Sequence, residues 1–158
     1  MDDAVPRMGE ADLTGPVSFE TLKVGMTAEF AKTVTDADLV MFAGVSGDTN
    51  PVHFDAEFAK ETMFQGRIAH GMLSASLIST VLGTKLPGPG AIYMSQTFKF
   101  LGPVYPGDTV RARVTIAEID AKRRRLTLNT GCSVAGTQVV SGEAKVFVPE
   151  PKAAADSA

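Results

Sequence analysis

The sequence contains no tryptophan and a single cysteine, Cys132, among its 158 residues. One cysteine cannot form a disulfide within the chain, so the sequence is not that of a small domain held together by disulfides. Hydrophobic residues make up 44% of the chain, which is enough to bury an apolar core. The fold must therefore rest on that core, and Cys132 is interpreted as one of its small buried side chains.

Basic charge is also scarce, since 15 lysines and arginines are outnumbered by 18 aspartates and glutamates. We expect no nucleic-acid partner, because a phosphate backbone is bound by an excess of basic residues. The uncharged stretch around the predicted central helix, residues 68–84, contains histidine, serine and threonine. It is too short and too polar for a membrane span, which needs about 20 mostly apolar residues. The acidic start lacks the apolar segment of a secretory signal, so we expect a cytoplasmic protein.

The length of 158 residues predicts a single domain. Residues 1–17 show no periodic pattern and are predicted to form a flexible arm, residues 18–149 the domain, and the alanine-rich residues 150–158 a flexible tail. In the second half of the domain, apolar and polar residues alternate from about Ile92, Val110, Leu126 and Val140 onward. This period of two predicts four strands of an antiparallel sheet, and a further strand is predicted at residues 27–34.

The first half of the domain is predicted to be helical. Thr35 and Asp55 are suitable capping residues for helices at residues 37–43 and 56–62. A third helix, at about residues 71–82, is apolar on nearly all sides, which is typical of a buried helix. The sequence thus predicts an α+β fold in which an antiparallel sheet of about five strands wraps round a buried central helix.

Chemistry-bearing residues are concentrated in residues 47–70, which contain both histidines of the chain, His53 and His70. Asp48 lies five residues before His53, and Asn50 and Pro51 between them favour a rigid, non-repetitive loop. Such a loop can hold a carboxylate and an imidazole at a fixed separation for acid–base catalysis. The alternative is that Asp48 and Asn50 are turn residues and that His53 only packs. No metal site is expected, because no HExxH or cysteine-rich ligand spacing is present.

Gly71 begins the predicted central helix. The first N–H groups of a helix have no partner within it, and a residue without Cβ lets a substrate carbonyl approach, so the Gly71 N–H is a candidate oxyanion donor. The alternative is that Gly71 only permits close packing. His70 is interpreted as a histidine at a helix end whose hydrogen bonds are satisfied. The basic residues 122–125 are interpreted as a solvated turn, with a site for ligand phosphates as the alternative.

The segment from Phe42 to His53, FAGVSGDTNPVH, followed by Ala59, resembles the hydratase-2 signature of the MaoC-like dehydratases. The resemblance continues at residues 69–73, at residues 86–88, at Tyr93 and at residues 106–108, and covers about residues 20–148. It implies a hot-dog fold and the reversible, (R)-specific hydration of trans-2-enoyl-CoA to (R)-3-hydroxyacyl-CoA. The single-domain length is similar to that of small bacterial enzymes that supply polyhydroxyalkanoate synthesis.

Residue by residue, the resemblance implies that Asp48 and His53 are the catalytic pair and that the Gly71 N–H is the oxyanion donor. A supporting serine of the central helix falls on Ser79, and Asn50 joins Gly71 and Ser79 in the predicted substrate-binding group. The resemblance implies an acyl-CoA substrate, no cofactor beyond the coenzyme A of that substrate, and a homodimer. Two alternatives stay open at this point: a hot-dog acyl-CoA thioesterase, and a non-catalytic acyl-CoA-binding subunit of a dehydratase.

Overall fold

The computed structural model describes residues 18–151. The predicted arm at residues 1–17 and the predicted tail from residue 152 onward lie outside these residues. No helix in the described part of the chain is long and apolar enough to cross a membrane.

Five antiparallel strands form one sheet, as the alternation predicted. They are β1 (Thr27–Thr33), β2 (Ile92–Phe100), β3 (Thr109–Asp120), β4 (Arg125–Val134) and β5 (Thr137–Phe147). The strand order is β1-β3-β4-β5-β2. Strand β2 follows the last helix in the chain and joins the sheet beside β5, at the edge opposite β1. Strands β3 to β5 form a meander because short turns, with Arg124, Ala135 and Gly136 at positive φ, connect each to the next.

The helices are α1 (Asp36–Ser46), α2 (Pro51–Phe54), α3 (Ala56–Lys60) and α4 (Gly71–Thr84), after a single 3₁₀ turn at Phe19–Thr21. Thr35 caps α1 through a capping box with Asp38, and Asp55 caps α3, as predicted. The interpretation of residues 47–53 as entirely non-repetitive is wrong for Pro51 onward. Pro51 at the first helical position and the Asn50 side chain as N-cap begin one helical turn there.

The central helix α4 contacts all five strands, which confirms the helix-in-sheet arrangement. The core consists of apolar residues of α4 such as Leu77, Ile78 and Val81 and of the inward-facing residues of β3 to β5. The helix is not buried on every side, however. Gly71, Met72 and Ser79 lie on a face of α4 that is exposed in the single chain.

Strand β2 departs from its predicted burial. The alternation predicted a buried apolar face, but Ile92, Met94 and Phe100 are each about half exposed, at 46–54% of their surface. The reason is that β2 is an edge strand, with a neighbour only on its β5 side. An exposed apolar edge of this kind is a surface to which another strand can add.

Candidate active site

The loop between α1 and α2 presents Asp48. Gly47 ends α1 in the left-handed conformation, at φ 79°, and its N–H donates to the Ala43 carbonyl. The Asp48 carboxylate then accepts the Asn50 N–H at 3.1 Å, and the Asn50 side chain accepts the Val52 N–H at 3.2 Å. These two successive Asx turns fix the backbone that follows Asp48, and the Asp48 N–H donates to Ser46 Oγ at 3.2 Å on the preceding side, while the Asp48 carboxylate remains half exposed.

His53 lies in α2 and is 6% exposed. Its Nδ1 is 2.7 Å from the Ile68 carbonyl oxygen, and because a carbonyl only accepts, Nδ1 carries the proton. In the neutral ring the Nε2 lone pair is therefore free, and Nε2 lies 3.9 Å from Asp48 Oδ2. This separation is too long for a direct hydrogen bond, and both atoms are acceptors. A small molecule with two donors, such as water, can donate to both.

His70 is a member of the site that sequence reasoning did not place there. Its ring is stacked on the ring of His53, with centroids 3.7 Å apart and planes at 29°, and it also packs against Phe42 and Phe54. Nε2 donates to the backbone carbonyl of Asp48 at 2.9 Å. The interpretation of His70 as a helix-end histidine with all bonds satisfied is wrong: it makes no capping bond to α4, and Nδ1 is buried with no partner within residues 18–151.

Gly71 is the first residue of α4, and its N–H has no acceptor within the described residues. A Cβ at this position would lie 2.9 Å from two ring carbons of Phe100, closer than side chains normally approach. The close packing that was the alternative explanation of Gly71 is therefore present, together with the available N–H. The N–H is available because Gly71 begins the helix. The close packing depends on the missing side chain, because the ring of Phe100 occupies the space that a Cβ would need.

A cavity of about 490 Å³ joins these groups. Asp48, His70 and Gly71 lie in its wall, and the remaining wall is largely apolar, with Met63, Phe64 and Phe100 among its residues. A mostly apolar cavity with a few convergent polar groups is typical of a small-molecule site. Asp48 and the N-terminus of α4, with the N–H of Gly71, therefore lie at the same cavity.

Two further residues of the predicted substrate-binding group lie elsewhere within this chain. Ser79 is exposed on α4, eight residues beyond Gly71, and does not line the cavity. Asn50 is exposed, and its side-chain oxygen is engaged as the cap of α2. The structure therefore brings together Asp48, His53 and Gly71 but not Ser79, while Asn50 contacts Asp48 through its backbone N–H.

Asp48, His53 and His70 each offer one possible metal-ligand atom, and these atoms lie within 4.8 Å of one another. A histidine binds a metal along a lone pair in the plane of its ring, at about 2.0–2.1 Å for zinc. The two rings are stacked face to face, so their lone pairs are not aimed at one point at that distance. One nitrogen of each ring is also committed to a backbone carbonyl. This donor set does not fit a bound metal ion.

Two other groups of the sequence analysis have structural partners. In the basic segment at residues 122–125, Arg123 pairs with Asp120, and Arg124 pairs with Glu20 and stacks on Phe19. These pairs belong to the β3–β4 turn and not to the cavity. Burial raises the pKa of the Cys132 thiol to about 12, so this side chain stays protonated and is not a nucleophile.

Comparisons with known proteins show what the whole chain is similar to. A family model described as "MaoC like domain" matches residues 19–138. An (R)-specific enoyl-CoA hydratase of Rhodospirillum rubrum is 53% identical over 131 residues, or 83% of this chain and 91% of the relative. A 3-hydroxybutyryl-CoA dehydratase of Methylorubrum extorquens is 49% identical over 86% of this chain and 87% of its own.

Among solved structures, the R-hydratase PhaJ1 of Pseudomonas aeruginosa is similar with a TM-score of 0.81 and 44% identity, covering 86% of this chain and 88% of that one. This similarity confirms the predicted hot-dog fold. Since the family model and relatives at this level of identity extend over most of the sequence, the chain belongs to the MaoC-like dehydratase family.

Proposed function

We propose that this chain is an (R)-specific enoyl-CoA hydratase, which adds water reversibly to trans-2-enoyl-CoA to give (R)-3-hydroxyacyl-CoA. The observation that carries the proposal is the pair of acceptor atoms, Asp48 Oδ2 and His53 Nε2, held 3.9 Å apart, with Asp48 in the wall of the cavity. Relatives named as an (R)-specific enoyl-CoA hydratase and a 3-hydroxybutyryl-CoA dehydratase, at 53% and 49% identity, support it. These two names describe the two directions of one reaction type.

The reaction begins with a water that donates one O–H to Asp48 and the other to His53. Water is a weak nucleophile, so one of these acceptors takes its proton while its oxygen attacks C3 of the enoyl group. The bond between C2 and C3 supplies electrons that move onto the thioester oxygen as an enolate. The same proton then returns to C2, so that the elements of one water molecule are added overall. A positioned acid or base contributes about 10²–10⁴ to such a rate.

Gly71 supplies the N–H that meets the enolate oxygen in this proposal. Its position at the N-terminus of α4 adds the positive end of the helix dipole to the hydrogen bond. An oxyanion donor of this type is worth about 10²–10³ in rate. The addition of water is redox-neutral, and the donors and acceptors come from the chain itself, so the proposal needs no cofactor beyond the coenzyme A of the substrate.

We also propose that the protein is a homodimer in which the β2 edges of two copies face each other. Edge strand β2 and the residue after it expose the apolar side chains Ile92, Met94, Phe100 and Leu101. A second copy would pair the free backbone groups of β2 and cover this surface. Phe100 and Leu101 also line the cavity, so such a partner would lie next to the site. Because its substrate is a coenzyme A thioester, we place the enzyme in the cytoplasm.

We expect short and medium acyl chains to be preferred. The cavity of about 490 Å³ is in the lower half of the range of ligand sites, roughly 300–1,000 Å³. The larger apolar side chains of the central helix and of β2, Leu77, Ile78, Val81, Leu82 and Met94, do not line the cavity in the single chain. Met63, Phe64 and Phe100 lie in its wall instead.

The experiment that tests the proposed function supplies the purified protein with crotonyl-CoA. Loss of the enoyl absorbance is recorded alongside release of free thiol, and the configuration of the product at C3 is determined. We expect hydration to the (R) product without thiol release. Thiol release without hydration would identify a thioesterase, and failure to change the substrate by either route would identify a non-catalytic acyl-CoA-binding subunit; each result would contradict the proposal.

A further inference from the structure

His70 bonds to Asp48 and stacks on His53, although it is not one of the residues proposed to touch the reacting water. His70 is 2% exposed, and its ring packs against Phe42, Phe54 and His53. The Nε2–H donates to the Asp48 carbonyl oxygen, which belongs to the residue whose carboxylate faces the cavity. One side chain therefore contacts both members of the proposed catalytic pair.

The hydrogen bonds require opposite tautomers of the two histidines. His53 bonds to a carbonyl through Nδ1, so its proton is on Nδ1; His70 bonds to a carbonyl through Nε2, so its proton is on Nε2. A second proton on His70 would place a buried Nδ1–H where residues 18–151 offer no acceptor, which is costly. His70 is thus a neutral donor, and it presents an uncharged ring face to His53.

We propose that His70 is a positioning residue for the proposed hydratase reaction. Its Nε2–H fixes the backbone of Asp48 and is the main restraint on the 3.9 Å gap in which the water binds, while its ring face adds a smaller restraint on the plane of His53. The Asx turns restrain Asp48 from the side of Asn50, and Ser46 Oγ accepts its N–H from the other side, but both contacts are local to the loop and α1. Within residues 18–151, the bond from His70 is the hydrogen bond that ties Asp48 to the start of α4.

The hydrogen bond and the stacking can be separated by substitution. In His70→Gln the amide nitrogen takes the place of Nε2 and can still donate to Asp48. In His70→Asn the amide nitrogen takes the place of Nδ1 and cannot reach it, so this variant is the matched control. In His70→Phe the ring still stacks on His53 but has no donor.

We expect His70→Gln to retain kcat to within about threefold. We expect kcat to fall by about tenfold or more in His70→Asn and His70→Phe, because a displacement of about 1 Å of a catalytic group can cost on the order of 10²-fold in rate. KM for crotonyl-CoA should change less than kcat in each variant, since the loss falls on the chemical step. Equal kcat in the Gln, Asn and Phe variants, or a rise in KM at unchanged kcat, would overturn the proposal. A wild-type protein without hydratase activity would instead refute the proposed function.

A second measurement does not depend on activity. The chain has two histidines, so long-range ¹H–¹⁵N NMR of the wild-type rings gives two sets of signals, which His70→Gln assigns by removing one. We expect the Nε2–H tautomer at His70 and the Nδ1–H tautomer at His53. If His70 carries its proton on Nδ1, the bond to Asp48 is not formed and the positioning role is refuted, whatever the enzyme's activity.

Discussion

Replacement of Gly71 by alanine separates the proposed oxyanion role of this residue from its packing role. The added Cβ would lie 2.9 Å from Cδ1 and Cε1 of Phe100, whereas ordinary contacts begin near 3.4 Å. The ring must therefore move by about half an ångström or more. Phe100 is 54% exposed, so its ring can move outward. Phe100 and Gly71 both line the cavity, so the displaced ring would stand where the thioester is proposed to approach the Gly71 N–H.

The effects on stability and on activity should differ. Overpacking costs about 1–3 kcal/mol when the neighbours are held in place, and less here because the ring is free to move outward. Alanine is also favoured over glycine in a helix by up to about 1 kcal/mol. The net change in the free energy of unfolding should therefore be within about 1 kcal/mol. The alanine N–H is retained, but the displaced Phe100 ring should keep the thioester from reaching it, so kcat should fall by about 10²–10³, the worth of one oxyanion contact.

Thermal unfolding and crotonyl-CoA hydration, measured on the same preparations, test this prediction. Gly83→Ala is the matched control, because Gly83 lies on the same helix and nothing lies within 4 Å of its added Cβ. This control should unfold at the same temperature or a higher one, with unchanged kcat. A folded Gly71→Ala enzyme whose kcat equals that of Gly83→Ala would refute the claim that the thioester reaches the Gly71 N–H through the space that the missing Cβ leaves.

Three further predictions concern the fold, the assembly and the substrate. The Thr35 N–H, with a lesser contribution from Lys32, holds the pKa of Asp38 below its usual value, so the stabilisation is present at neutral pH and lost as the pH falls through that pKa. Asp38→Asn should then reduce stability at neutral pH by about 1 kcal/mol, and the difference from wild type in thermal unfolding should shrink in acid. Met94→Lys on the β2 edge should shift the protein toward monomers in analytical ultracentrifugation, because edge lysines oppose strand pairing. The control Val24→Lys, at an exposed position before β1, should not change the oligomeric state. A wild-type monomer would contradict the proposed dimer. The kcat/KM for crotonyl-CoA should exceed that for trans-2-dodecenoyl-CoA, and the reverse order would contradict the preference for short and medium chains.

Strands β3 to β5 could be predicted from sequence because each alternates clearly and pairs with the next strand in the chain, whereas β1 pairs with β3 and β2 with β5 across long connections. In β3 and β4 the inward positions, from Val110 to Ile116 and at Leu126 and Leu128, are buried as the alternation indicated. The same argument failed for Ile92 and Met94, because alternation indicates which residues share a face and not whether anything covers that face. The exposure of β2 depends on its position at the sheet edge, which follows from the long connection through α4.

The site was predictable only in part for a related reason. Asp48 and His53 are close in sequence, and the Asx turns between them restrain the short backbone segment that joins them. His70 is 22 residues from Asp48, and its bond to the Asp48 carbonyl depends on how the loop packs against the start of α4. In the sequence, His70 stands directly before the helix, next to Gly71. Its apolar neighbours in the sequence indicate that its side chain is buried, but they do not indicate which group it bonds to. The helical turn at Pro51–Phe54 was missed, although Asn50-Pro51 is a recognisable cap followed by a first helical residue.

The central claim is that Asp48 and His53 act together on one water molecule, and a double-mutant cycle for crotonyl-CoA hydration tests it most directly. Asp48→Asn and His53→Ala should each lower kcat by about 10² or more, the usual contribution of a positioned acid or base. The double variant should lose little beyond the worse single variant, because residues that act as a unit are not additive. Circular dichroism of each variant should match wild type, since Asp48 lies in a loop and His53 on a single helical turn outside the apolar core. A folded Asp48→Asn enzyme with near wild-type kcat, or losses that multiply in the double variant, would contradict the account.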